Sequence, residues 1–190
     1  MYLGKNYISK ESYLSYLRHL KNKFMGTQIK THILQCIGIF IALLLLVKAG
    51  ELLHEKLLIA PFGASCVILF GFPESHFSAP KRIIGGYFIC SLTGVAIHSF
   101  FGNTSFGVAF AVSLAVLVML LTNLMHPPSG AVTIIAVTAD YGWTFVLTPV
   151  VVGAFIVIVI AVIYNKLHKK IGESIKGDYP VIISEMEESE

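Results

Sequence analysis

The sequence predicts an all-α, polytopic membrane protein, and this prediction follows from its composition, its charge placement and the lengths of its apolar segments. Of its 190 residues, 55% are hydrophobic and 13% are charged, whereas about a quarter of the residues in an average soluble domain are charged. Eleven charged residues lie in residues 1–56 and ten in residues 166–190, but residues 57–165 carry only four. So long a stretch with so few charges is typical of a domain embedded in a membrane.

The first element is a basic, amphipathic helix within a segment that we assign to residues 1–30. Over Ser9–Phe24, Tyr, Leu and Phe recur at steps of three and four residues, while Lys and Arg occupy other positions. A helix of this kind lies at a membrane surface. Two roles stay open for it, setting the topology of the chain or regulating the protein.

Four long apolar segments follow, and each is about as long as the roughly 20 residues that cross a ~30 Å hydrocarbon core. They contain no Asp, Glu, Lys or Arg, and they are Thr31–Val47, Ile83–Phe101, Phe106–Met125 and Phe145–Tyr164. Two further apolar segments, Leu57–Phe72 and Pro128–Thr138, contain Pro and Gly near their starts. These two are too short or too interrupted to be simple spans.

The two short segments resemble each other. Pro61-Phe62-Gly63-Ala64 and Pro128-Ser129-Gly130-Ala131 share the pattern P-x-G-A, and mostly apolar residues follow each copy. Because each copy stands between two long segments, the order long, short, long occurs twice. We therefore expect two repeats of three elements in a transmembrane domain at residues 31–165, followed by a polar cytoplasmic tail at residues 166–190.

The placement of charges distinguishes six crossings from four. If the short elements cross, the basic N-terminal flank, Lys81-Arg82 and the basic residues after Asn165 all lie on one side; if they only re-enter, Lys81-Arg82 face the other side. The positive-inside rule favours six elements with both termini cytoplasmic. Each repeat then crosses three times, so the repeats are inverted. We interpret Lys81-Arg82 mainly as topology determinants, and the alternative is that they attract anions into a cytoplasmic vestibule.

The starts of the two short helices form the strongest candidate site. Proline fits the first helical turn, and glycine and alanine allow close approach to the backbone. Free N–H groups and the positive end of the helix dipole favour an anion there without a cationic side chain. Ser65 and Ser129 add hydroxyls, and Asn123 adds an amide. The alternative is that P-x-G-A only permits tight helix crossing, but its matched positions in the two halves favour a binding site.

His126 is a titratable residue beside the second motif, in a part of the chain that is otherwise apolar. Imidazole changes charge near neutral pH, and an ionisable group in a membrane interior is a functional hypothesis by default. It could pair with an anion when protonated, or relay a proton. The alternative is a neutral histidine that caps the carbonyl groups of the preceding helix, which Pro127 and Pro128 end.

Four spaced motifs together resemble the HPP family of small integral membrane proteins. His126-Pro127-Pro128-Ser129-Gly130-Ala131 resembles the family signature, and Ala60-Pro61-Phe62-Gly63-Ala64-Ser65 resembles its other glycine motif. Pro80-Lys81-Arg82 with Gly85-Gly86 is similar to the loop into the next helix, and Gly142-Trp143 with Pro149 and Gly153 is similar to the last helix. The resemblance covers about Leu34–Tyr164. It implies a membrane protein, usually described with four transmembrane helices, from a family in which some members are associated with nitrite transport.

These observations predict membrane transport of a small inorganic anion by a channel or a proton-coupled carrier, and the resemblance to the HPP family implies nitrite as the best candidate. The alternative is a non-transporting membrane scaffold or sensor that binds a protein partner through its terminal segments. We expect no enzyme activity, cofactor, metal or nucleic-acid partner, because the sequence has no nucleophile–base arrangement or metal-ligand spacing and its Lys and Arg flank the spans. We expect the lipid bilayer, the anion and further copies of the chain as partners, in the cytoplasmic membrane of a bacterium. The expected substrate-binding residues are Pro61, Gly63, Ala64, Ser65, Asn123, His126, Pro127, Pro128, Ser129, Gly130 and Ala131.

Overall fold

The computed structural model describes the backbone of residues 10–139 and 141–176, and the side chains of residues 29–139 and 141–167. All regular structure in these ranges is helical, which confirms the all-α class. Six α-helices are present there: α1 (Lys10–Leu53), α2 (Pro61–Cys66), α3 (Pro80–Phe101), α4 (Ser105–Leu121), α5 (Gly130–Thr138) and α6 (Val152–Lys176). The chain divides into two compact units, residues 1–37 and residues 38–190.

Short turns of other helix types extend three of these helices. A π-helical turn, Val67–Gly71, continues α2, and a second one, Val146–Val151, leads into α6. A 3-10 turn, Pro127–Ser129, leads into α5. The two short apolar helices are therefore Pro61–Gly71 and Pro127–Thr138, and they correspond to the two short elements that the sequence predicts.

Within the described residues, three helical stretches are long and apolar enough to cross a membrane: Ile29–Leu53, Pro80–Phe101 and Val146–Leu167. Each overlaps one of the four predicted spans. The fourth prediction, Phe106–Met125, corresponds to α4, which has 17 residues and is about 25 Å long at 1.5 Å per residue. It ends early because the chain leaves the helix after Leu121 and Asn123 takes a left-handed conformation with φ of 59°.

In residues 1–37 the helix runs without a break from Lys10 onward. The helix that we expected over Ser9–Phe24 is described from Lys10 onward as the first part of α1, and its place at a membrane surface stays a prediction. The reason for the unbroken helix is local, because no proline stands between residues 10 and 53 and the hydrogen-bond ladder can continue. At the other end, α6 continues to Lys176, into the segment that we assigned to the polar tail.

The short helices run parallel to the long helices against which they pack. A Cβ atom built on Gly153, near the start of α6, would lie 2.5 Å from the ring of Phe62 in α2. At the other end of this pair, the Asn165 side chain donates a hydrogen bond to the Leu69 carbonyl oxygen at 3.0 Å. In the same way α5 runs along α3, since the Ser129 hydroxyl lies at Gly86 and Ala136 lies at Gly94.

Long helices packed side by side run in opposite directions. Two aromatic rings lie at Gly38 of α1. One belongs to Phe70, near the end of the first short helix, and the other to Tyr164, near the end of the membrane-spanning part of α6. The Cys90 and Met119 sulfur atoms are 3.7 Å apart, and the Phe101 and Phe106 rings are 5.4 Å apart, so α3 and α4 are antiparallel. Pro80, at the start of α3, and Lys166, in the later part of α6, line one pocket, so α3 and α6 also run in opposite directions. The chain therefore reverses direction from each of the six elements to the next.

Candidate functional site

A buried chain of polar side chains joins the two P-x-G-A segments. The Ser65 hydroxyl oxygen lies 2.7 Å from His126 Nε2 and 2.7 Å from the Tyr87 hydroxyl oxygen. Ser65 is 1% exposed, and His126 and Tyr87 are fully buried. One hydroxyl on α2 thus connects α3 with the residue that precedes the second motif. We call Ser65, Tyr87 and His126 the polar junction.

The hydrogen-bond partners determine where the protons of the junction lie. His126 Nδ1 is 3.0 Å from the Phe77 carbonyl oxygen, which can only accept, so Nδ1 carries a proton. The Nε2 atom of a neutral imidazole then accepts from Ser65, and Ser65 accepts from Tyr87. Each ring nitrogen of His126 has a hydrogen-bond partner, and burial of the ring favours its neutral form.

Ser129 is buried as well, and its hydroxyl is already used inside the fold. It donates to the His126 carbonyl oxygen at 2.6 Å, and the Cys90 thiol lies 3.3 Å from it. Thr133 in turn donates to the Cys90 carbonyl oxygen at 3.1 Å. The two serine hydroxyls that the sequence proposes as ligands therefore make internal hydrogen bonds in this conformation.

The glycines and alanines of the two motifs face outward. A Cβ atom built on Gly63 or Gly130 would meet no atom within 4 Å, and Ala64 and Ala131 are exposed. Both copies of the pattern thus have the same local character, with an open glycine and an exposed alanine. The remaining predicted site residues divide in the same way: Asn123 and Pro127 are exposed, Pro128 is half-buried and Pro61 is buried.

Fewer N–H groups are free at the two helix starts than the sequence suggests. The backbone N–H groups of Phe62 and Gly63 donate to carbonyl oxygens of Ile59 and Ala60 at 3.0 and 3.1 Å. The Ser129 N–H donates to His126 at 3.0 Å, and the two prolines before it have no N–H. Tight turns before each helix satisfy these donors, which reduces the capacity of the helix starts to bind an anion by themselves.

Sequence reasoning missed two contributors to the junction. Tyr87 lies in the middle of an apolar helix, and its phenol needs a hydrogen-bond partner when buried, so the residue type was a usable signal. Phe77 contributes only its backbone carbonyl group, which no side-chain pattern could have indicated.

Arg82 also lies elsewhere than expected. We interpreted Lys81-Arg82 together as topology determinants, but Arg82 is only 4% exposed, whereas Lys81 is exposed. The packed part of the domain therefore contains a cationic side chain. The physical reason is the helical period of α3, because consecutive residues point about 100° apart and only Arg82 lies on the packed face.

Among the described residues, no group of three or more His, Cys, Asp or Glu could hold a metal ion.

The fold and the buried junction define a polytopic, all-helical membrane protein. The model of the HPP family, described as "HPP, transmembrane region", matches residues 25–172. The chain therefore belongs to the HPP family, as the motifs predicted.

Two transmembrane proteins of Dictyostelium discoideum are similar to this chain. The first is 33% identical over 141 residues, which cover 70% of this chain and 50% of the relative. The second is 31% identical over 142 residues, which cover 70% of this chain and 46% of the relative. The chain thus spans about half the length of these curated relatives. No solved structure matches it.

Proposed function

We propose that this protein transports a small inorganic anion across a membrane, with nitrite as the best candidate, and that the polar junction is the closed gate of the pathway. The observation that carries the proposal is the hydrogen bond between Ser65 and His126. It joins the two matched motifs inside an apolar domain, where buried polar groups are costly and usually functional. Membership of the HPP family supports a transport role.

Opening of the gate would separate Ser65 from His126. Nε2 would then lose its hydrogen-bond partner and could take up a proton or face an entering anion. The exposed Asn123, three residues before His126, would add an amide donor beside the same path. This arrangement suits either a channel or a proton-coupled carrier, because both need a group that changes partners when the path opens.

Helix directions support two inverted repeats of three elements. α2 runs parallel to α6, and α5 runs parallel to α3, so each short helix packs along the third helix of the other repeat. A two-fold axis in the membrane plane would exchange these two pairs, as in many transporters. We propose that all six elements cross the membrane and that both termini face the cytoplasm.

Uptake of nitrite into liposomes that contain the purified protein tests the proposal. We expect uptake to need the protein and to fall at least tenfold in His126→Ala, while the exposed His32→Ala variant keeps it. Absence of uptake by the wild type would refute transport of nitrite. Unchanged uptake in His126→Ala would remove this histidine from the mechanism.

A second candidate is a non-transporting scaffold or sensor, and the close packing of the junction favours it. Ser65 and His126 touch directly, and the Tyr87 ring lies 5.6 Å from the imidazole and 5.1 Å from the Phe62 ring between centroids. A scaffold would bind its partner through its terminal segments. Deletion of residues 1–23 or 183–190 would then abolish function, while substitutions in the two P-x-G-A motifs would have little effect.

A further inference from the structure

Arg82 is a largely buried cation with no counter-charge among the side chains that the structure describes. It lies in the first turn of α3 and is 4% exposed. No hydrogen bond or ion pair joins its guanidinium group to any residue whose side chain the structure describes. In that part of the chain the one ion pair joins Lys48 and Glu51, on α1, and Glu74, in the loop before α3, is exposed.

The position of Arg82 on α3 relates it to the polar junction. Residues four apart lie on the same face of a helix, so Arg82 shares a face with Gly86. A Cβ atom built on Gly86 would lie 3.0 Å from the His126 Cβ atom and 3.2 Å from the Leu124 carbonyl oxygen. Along α3, Arg82 thus precedes the residue in contact with His126 by about one helical turn, roughly 6 Å along the helix axis. It lies toward the end of the molecule that holds Pro80 and Lys166.

The guanidinium nitrogens are not among the described buried side-chain atoms that lack a partner, so they stay accessible to a small ligand although the residue is largely buried. A cation in so enclosed a place is stabilised when an anion neutralises it. The planar fork of N–H donors of a guanidinium group matches an oxyanion through two parallel hydrogen bonds. We propose that Arg82 binds a small oxyanion such as nitrite at the entrance to the junction, on the side of Pro80 and Lys166. This site rests on the proposed transport function and names the residue that supplies its positive charge.

An anion site at Arg82 differs from the site that the sequence suggested in the source of its positive charge. The sequence suggested that helix dipoles, hydroxyls and one histidine bind the anion, but those donors and hydroxyls are largely satisfied within the fold. Arg82 supplies a fixed positive charge one helical turn before His126. An anion that enters from this end reaches the guanidinium group first, and the polar junction blocks it until Ser65 and His126 separate.

Binding of sodium nitrite to the full chain in nanodiscs of phosphatidylcholine, measured by calorimetry against sodium chloride at equal ionic strength, tests this site. Arg82→Gln should lower the nitrite affinity about 10- to 100-fold, as expected for loss of a charge-assisted hydrogen bond. Lys81→Gln removes the same charge at the adjacent exposed position and should change the affinity less than threefold. Equal losses in both variants, or no loss in Arg82→Gln, would overturn the proposal.

Arg82→Lys keeps the positive charge but loses the planar fork, and it provides the decisive comparison if Arg82→Gln does not fold. We expect it to fold and to bind nitrite at least tenfold more weakly than the wild type. Wild-type affinity in this variant would show that the guanidinium geometry is not used, and the proposal would fail.

A lipid phosphate has the same oxyanion chemistry and is the competing occupant. If phosphatidylglycerol in the nanodisc prevents nitrite binding to the wild type, the occupant of the site is a lipid headgroup and the proposal is wrong. Nitrite binding that depends on Arg82 in both lipids supports it. Uptake assays distinguish a failure of the proposed transport function from a failure of the site at Arg82. Nitrite binding at Arg82 without uptake refutes transport alone, and uptake that survives Arg82→Gln refutes this site alone.

Discussion

Replacement of Ser65 by alanine should destabilise the protein through the two partners that it leaves behind. Ser65 accepts from the Tyr87 hydroxyl and donates to His126 Nε2, both at 2.7 Å, and all three side chains are buried. Each buried polar group that loses its partner costs about 1–3 kcal/mol. The Tyr87 and His126 rings lie 5.6 Å apart, so a small shift can restore one bond. We therefore expect a loss of about 2–4 kcal/mol in the free energy of unfolding.

Equilibrium unfolding in mixed micelles, with sodium dodecyl sulfate as the denaturant, measures this loss. Ser113→Ala is the matched control, because Ser113 is exposed and its hydroxyl bonds only to the Ala109 carbonyl oxygen one turn earlier. Its effect should stay below about 0.5 kcal/mol. A second check is Ser65→Ala combined with Tyr87→Phe, which should cost less than the sum of the two single changes. If Ser65→Ala is as mild as Ser113→Ala, the junction does not hold the two halves together and the gate argument fails.

Two further predictions concern packing and topology. Gly94→Ala should lower the free energy of unfolding by about 1–3 kcal/mol, because the new Cβ atom would lie 2.6 Å from the Ala136 Cβ atom. Gly130→Ala is the control and should be neutral or stabilising by up to about 1 kcal/mol, because its Cβ atom would meet no atom within 4 Å. Equal effects of the two substitutions in the same unfolding assay would contradict this packing. A single cysteine at Lys81→Cys should react with a membrane-impermeant thiol reagent on the same side as a tag at the N-terminus, because two crossing elements, α1 and the short helix that starts at Pro61, separate the N-terminus from Lys81. Labelling on opposite sides would exclude six crossings.

Helix content and the approximate number of elements follow from local sequence. Apolar length predicts membrane helices, since a bilayer of fixed thickness leaves few other solutions. Pro61 stands at a helix start as expected, and Pro80 stands at another, because the first turn of a helix needs no N–H from proline. The end of α4 was less predictable, because the left-handed conformation of Asn123 is a tertiary outcome in a residue type that only tolerates it.

The candidate site was predictable in part. The sequence indicated that the two P-x-G-A segments belong together, and the hydrogen bond from Ser65 to His126 joins them. It did not indicate that their hydroxyls would be used internally or that Tyr87 would complete the chain. Those facts depend on which side chains meet across helices, and sequence separation of 22 and 61 residues conceals such contacts.

By itself the sequence determined the class of protein, the helical elements and the family, because hydrophobic length, proline placement and short motifs act locally. Only the tertiary structure decided how charge is distributed inside the domain. Lys81 and Arg82 are adjacent and chemically alike in sequence, yet one is exposed and the other is 4% exposed. Burial depends on which face of α3 packs against the chain before His126, and that face is chosen by long-range packing.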